Sequence, residues 1–145
     1  MVTAIVDIET DSLDATQIHC IVACDYATGK EKVWVQDECK EFASWSKMID
    51  KFIMHNGISF DAPVLNRLTG SSIKPSQIRD TLIESQLYNP IRDKGHSLKA
   101  WGERFNFPKG DFTEFEYYTP EMLEYCKQDV RITRKVAQEL EKEGS

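Results

Sequence analysis

At 145 residues the chain fits one domain spanning 1–145, and its 41% hydrophobic and 29% charged content excludes a disordered, collagenous or low-complexity polymer. Its 24 acidic against 18 basic residues give a net charge of −6, the opposite balance from a protein that lives by gripping duplex phosphates. No apolar run approaches the roughly 20 residues of a bilayer span, and the opening MVTAIVDIET has no basic leader, so a cytoplasmic protein without membrane contact is expected.

Three strand-like runs come first. Thr3 to Glu9 is short and apolar and ends in acids, Gln17 to Tyr26 is apolar on both faces, and Lys32 to Gln36 alternates with Val33 and Val35 on one side. Turn chemistry in TDSLDAT and Gly29 in ATGKEK predict short links, hence an antiparallel meander. Glu38 to Ile49 is helical in pattern, and Lys51 to His55 reads as a further strand. A helix starts near Asp61, with Pro63 in its first turn and Gly70 past its end. Asp80 to Tyr88 and Ser97 to Phe105 have helical spacing, and Asn106 to Thr119 is a Gly/Pro-punctuated aromatic loop. Thr119 then caps a final helix over Glu121 to Glu141, with Pro120 at its first position. The expected class is α/β or α+β rather than all-β. The four cysteines, Cys20, Cys24, Cys39 and Cys126, form no CxxC pair and have no histidine at ligand spacing, so reduced, buried thiols are expected rather than a zinc site or disulfides.

The informative residues are acids that interrupt apolar patterns. Asp7 and Glu9, two apart on a strand, share a face with Ile5. In the last helix Met122, Cys126, Asp129, Ile132, Val136 and Leu140 follow at spacings of three or four, which puts Asp129 in the apolar stripe and Tyr125 one turn before it. Asp61 opens a helix after HNGIS. Each also has a plain reading: a solvated strand-end pair, an N-capping Asp61, a helix-surface Asp129.

Order and spacing together carry a resemblance. Asp7-Ile8-Glu9-Thr10, Asn56-x-x-x-Phe60-Asp61 and Tyr125-x-x-x-Asp129 are similar to the three motifs of the DEDD exonucleases, which have a ribonuclease-H-like fold and remove nucleotides from 3′ ends. The resemblance to that fold implies an α/β class, with a mixed central sheet that begins with the meander and is flanked by helices. The strings VDIETDSLD, HNGISFDAPVL, RDTLIESQL, GHSLKAWGERF and YCKQDV resemble the proofreading domain of family A DNA polymerases, particularly phage ones, over roughly residues 3 to 135. The histidine branch of the superfamily has His five residues before the last acid. That position is Glu124 here, with Tyr125 four before, so the chain resembles the tyrosine branch, and His19, His55 and His96 do not fit the histidine role.

The resemblance implies phosphodiester hydrolysis assisted by two divalent ions, magnesium or manganese, about 4 Å apart. Asp7 would bridge both, Glu9 and Asp129 would complete the site that activates water, Asp61 would hold the second ion, and Tyr125 would orient the attacking water. Thr10, Leu13, Asn56, Phe60 and Phe112 are implied substrate contacts, Leu13 as a wedge against the terminal base and Phe112 as its stacking counterpart. Lys94, Lys99, Arg104 and Lys109 suit phosphate contacts or a solvated face equally. The implied partner is a single-stranded DNA 3′ end, and the setting is either a stand-alone enzyme or a domain working with a DNA polymerase. A ribonuclease D-like exoribonuclease and a non-catalytic nucleic-acid-binding domain are the alternatives.

Overall fold

The computed structural model describes residues 1–144. Five strands form one sheet in the order β3-β2-β1-β4-β5: β1 (Thr3–Thr10), β2 (Ile18–Asp25), β3 (Glu31–Val35), β4 (Lys51–Met54) and β5 (Ile78–Asp80). The first three pair antiparallel as the expected meander, while β4 and β5 join β1 in parallel, so the sheet is mixed. β2 is buried almost throughout because it lies inside the sheet with both faces covered. The short β5 was not expected; its three residues carry no alternation of their own and pair only because β4 presents an open edge.

The pleat divides the sheet into two cores. Even-numbered β1 residues Ala4, Val6 and Ile8 pack with Phe52, Met54, Phe42 and Leu65 on the side of α1 (Phe42–Ser46) and α2 (Ala62–Thr69). Odd-numbered Ile5 packs with Cys20, Val22, Ile53, Met122, Cys126 and Val130 against α5 (Pro120–Gly144). The expected helix over 38–49 is split into a tight turn at Gln36–Glu41 and the single helical turn of α1, since Cys39 and Phe42, three apart, must both reach the core. α3 (Thr81–Tyr88) and α4 (Leu98–Arg104) flank α5, where Trp101 packs against Ile132, Val136 and Leu140. Thr119 accepts the Met122 N–H at 3.2 Å and so caps α5 as expected. The four cysteines are free and buried. Among the described residues no helix is long and apolar enough to cross a membrane.

Candidate active site

The parallel strands β1, β4 and β5 end at one edge of the sheet, the edge where open α/β sheets place ligands. Asp7 and Glu9 sit at that end of β1, opposite Val22 and Cys20 of β2, on the face that α5 covers. They extend the apolar row begun by Ile5, so the pleat itself drives two acids toward a helix. Glu9 is buried and Asp7 half-buried. A break in register between Glu9 and Thr10 then turns the chain away, and the Thr10 hydroxyl donates to the Ser12 carbonyl at 2.9 Å.

Asp61 arrives from the other side of the cleft. The chain leaves β4 through Asn56, which is left-handed (φ 67), and enters a wide turn at Gly57–Asp61 that runs into α2. A side chain at Gly57 would meet Met54 Cβ at 2.2 Å, so only glycine permits this approach. Asp80 fixes the turn: its carboxylate accepts from Asn56 N at 2.9 Å, Ile58 N at 3.2 Å and Leu82 N at 3.0 Å, joining the loop to the start of α3. Asp61 does not cap its helix; it is 5% exposed, and its Oδ2 has no hydrogen-bond partner.

α5 supplies Tyr125 and Asp129, one turn apart and both turned inward, while Glu124 points outward with its side chain 65% exposed. Asp129 is 3% exposed and close enough to Asp7 for the two carboxyls to repel each other. Lys109, from the loop before α5, donates to both Asp129 oxygens at 2.8 and 2.7 Å and lies 4.2 Å from the Tyr125 ring centre. That loop is tied down by His19, whose Nε2 lies 2.7 Å from the Phe115 carbonyl oxygen. A side chain at Gly102 would meet the Phe107 carbonyl at 2.9 Å, so α4 needs a glycine where the loop crosses it.

Burial dominates the electrostatics. It raises Asp7 well above the ordinary carboxylate range, aided by Asp129 and Glu9, and pushes Glu9 up to about 8, aided by Asp129. Asp61 is raised by burial and then by Asp7 and Asp80, and Asp129 by burial against the opposing pull of Lys109. Burial also raises the Tyr125 phenol, which keeps it neutral at physiological pH. Four mutually repelling carboxyls, one buried oxygen without a partner and a lysine ammonium drawn against a second acid fit a donor set for hard divalent cations.

The other expected contacts divide. Leu13 is 91% exposed, and Asn56 is exposed in its turn. Phe112 is half-buried, 5.7 Å from the Tyr125 ring centre and 5.3 Å from that of Phe115. Phe60 packs on the α2-side core and Thr10 is buried. Lys94 pairs with Glu103, and Arg104 holds the carbonyls of Asp93 and Gly95 and stacks on Trp101. The positioning role of Asp80 was missed by the sequence reading, although Asp80-Thr81 at a helix start was the available signal.

The fold is thus the ribonuclease-H-like α/β architecture, with acids gathered where its strands end, and the chain belongs to a family described as 3′-5′ exonuclease, whose model matches residues 4–145. It is an exonuclease by that membership. No curated protein matches the sequence. Among solved structures, Brucella melitensis NrnC bound to pGG is similar with a TM-score of 0.70 and 23% identity over 98% of this chain and 74% of its own. Phi29 DNA polymerase complexed with primer-template DNA gives 0.62 and 16% over 94% of this chain, and a family B DNA polymerase from Pyrobaculum calidifontis gives 0.67 and 15% over 97%. This chain spans 31% of the Phi29 polymerase and 24% of the archaeal one.

Proposed function

We propose that the protein is a tyrosine-branch DEDD exonuclease that releases 5′-mononucleotides from single-stranded DNA 3′ ends with two divalent ions, magnesium or manganese. Residues 1–145 form one exonuclease domain, acting alone or beside a DNA polymerase domain. The observation that carries this reading is the buried, partnerless Oδ2 of Asp61, coupled electrostatically to Asp7 and Asp129. An oxygen so placed is neutralised either by a proton or by a cation, and a divalent ion supplies the second while leaving the carboxylate able to coordinate.

In this reading Asp7, Glu9 and Asp129 would hold one ion, and Asp7 and Asp61 would hold the other. Bound there, divalent cations acidify the attacking water and offset the charge that gathers on the phosphate. Tyr125, neutral at physiological pH, hydrogen-bonds that water and orients it rather than deprotonating it. Lys109, which pairs with Asp129, would release that carboxylate when a cation binds it and would then be free to meet a substrate phosphate. Phe112 offers a ring to the terminal base, and Leu13 meets that base as well. Single strands are favoured because a paired end must first open, at a cost of a few kcal/mol.

The likeness to NrnC, bound to pGG and sharing most of its length with this chain, favours a second reading, an exoribonuclease for short RNA. DNA is preferred because the motif strings resemble polymerase proofreading domains. Matched DNA and RNA oligonucleotides with free 3′ ends decide between them. Faster shortening of DNA is expected; faster release from RNA, or activity confined to dinucleotides, would overturn the DNA assignment.

A further inference from the structure

β2 carries one residue more than β1 where the two strands reach the acids. Glu9 pairs with Cys20 and Thr10 with Ile18, so His19 is a bulged residue without a partner on β1. Regular alternation would put His19 beside Ile21 and Ala23, on the α2 side of the sheet. The bulge reverses this: Ile18 packs on the α2 side, and the His19 ring turns to the other face, toward the loop before α5. There its Nε2 meets the Phe115 carbonyl oxygen at 2.7 Å, and because a carbonyl only accepts, Nε2 carries the hydrogen. The residue is 1% exposed and its Nδ1 has no hydrogen-bond partner. An apolar side chain would fill this space without leaving a buried nitrogen unsatisfied, so the bond to Phe115 is what a histidine adds.

That bond falls where the loop has little else to hold it. Residues 107–115 have no regular secondary structure. The start of the loop is held to α5, by Lys109 on Asp129 and by the Gln128 side chain on the Pro108 carbonyl at 3.1 Å. Among the described residues, His19 supplies the hydrogen bond that joins 110–118 to the rest of the molecule. Phe112 lies midway between the two anchors, its ring 5.3 Å from that of Phe115 and 5.7 Å from that of Tyr125.

We propose that His19 is a positioning residue for the 3′ end: by anchoring Phe115 it holds the Phe112 ring ready to stack on the terminal base, and so sets affinity for the substrate without touching it. The inference rests on the proposed reading, in which Phe112 meets that base, and extends it to a residue outside the cleft. A ring already in place loses less freedom when the base arrives, and pre-organisation of this kind is expressed in binding.

Steady-state kinetics in magnesium on a single-stranded DNA oligonucleotide test it with three variants. Glutamine places an amide N–H where Nε2 lies, asparagine reaches only as far as the partnerless Nδ1, and leucine has no donor. KM should rise at least about fivefold in His19→Leu and His19→Asn, the low end of what one base–aromatic stack contributes. With kcat little changed, that is a loss of binding alone, and His19→Gln should return KM to near wild type. An oligonucleotide ending in an abasic nucleotide should erase the differences, since no base remains to stack. An unchanged KM in His19→Asn, a fall in kcat as large as the rise in KM, a KM rise that persists on the abasic end, or a His19→Gln as impaired as His19→Leu would overturn the inference and leave the exonuclease reading standing. The contrast between asparagine and glutamine decides even if the leucine variant does not fold. A wild-type protein that shortens no strand would overturn both readings.

Discussion

The Lys109 ammonium lies 2.7 and 2.8 Å from the two carboxylate oxygens of Asp129, inside the group of acids that the pleat of β1 and the stripe of α5 bring together. An ammonium is the charge that the chain itself can supply where several carboxylates converge. Its side chain is 21% exposed and that of Asp129 is 5%, so solvent screens the pair only weakly.

Lys109→Met keeps the length of the stem and removes the charge. Without metal, the variant should lose about 2 kcal/mol, the scale of leaving a buried charged group without its partner. Magnesium should then raise its melting temperature more than it raises that of wild type, because no internal cation competes for Asp129. Thermal melts in chelator and in magnesium check both statements; equal magnesium shifts in the two proteins would detach Lys109 from the metal site.

The acids should behave in the opposite sense. Asp7→Asn removes a carboxyl that burial and its neighbours hold far above its ordinary titration range. Relief of that repulsion should leave the metal-free melting temperature at or above wild type, while hydrolysis falls by at least about 1000-fold. A variant that melted much earlier than wild type in chelator would mark Asp7 as a structural residue.

Tyr125→Phe keeps the ring that packs beside Phe112 and deletes the hydroxyl assigned to orienting water. The chemical step should slow by about 10- to 1000-fold, the cost of one such hydrogen bond in a transition state, with substrate affinity little changed. Single-turnover rates and binding constants separate the two. A wild-type chemical step would reduce Tyr125 to a packing residue.

Much of this was legible in the sequence, and the reasons differ element by element. The β1–β2–β3 meander followed from apolar patterning joined by turn residues, and α5 from its apolar spacing, its Thr119 cap and Pro120. Asp7, Glu9 and Asp129 stood out because charge interrupted those patterns. Lys109 did not, since its loop has no period and its partner is fixed only when that loop crosses α4 and α5.

Asp80 acts through the backbone of another segment. Asp80→Ala would strip an acceptor from the N–H groups of Asn56, Ile58 and Leu82 and should cost about 2–3 kcal/mol. Asp61 would lose its fixed position, so kcat should fall as well, with partial recovery in Asp80→Asn, which keeps one carbonyl oxygen. Chemical denaturation and steady-state kinetics check this; full activity in Asp80→Ala would show that the turn holds itself.

Stability should also report the acids through pH. Glu9, raised from its ordinary 4.5 to about 8, holds its proton more tightly folded than unfolded, so the folded chain carries more protons in that window and stability falls as pH rises. Asp7 and Asp61, also raised, act in the same sense. His55, lowered by burial from 6.5 to about 4, acts oppositely, its contribution growing up to about pH 6.5 and complete above it. From pH 6.5 to 8 the metal-free protein should therefore melt at progressively lower temperature, and magnesium should flatten the trend. A flat profile without metal would mean that the carboxyls are ionised throughout.

The most direct test of the central claim follows a single-stranded oligonucleotide labelled at its 5′ end, beside a closed circular single strand, in magnesium and in chelator. The account predicts stepwise shortening from the 3′ end with release of 5′-mononucleotides in magnesium, an intact circle, and no reaction in chelator. Internal cutting of the circle, or shortening that persists in chelator, would contradict it.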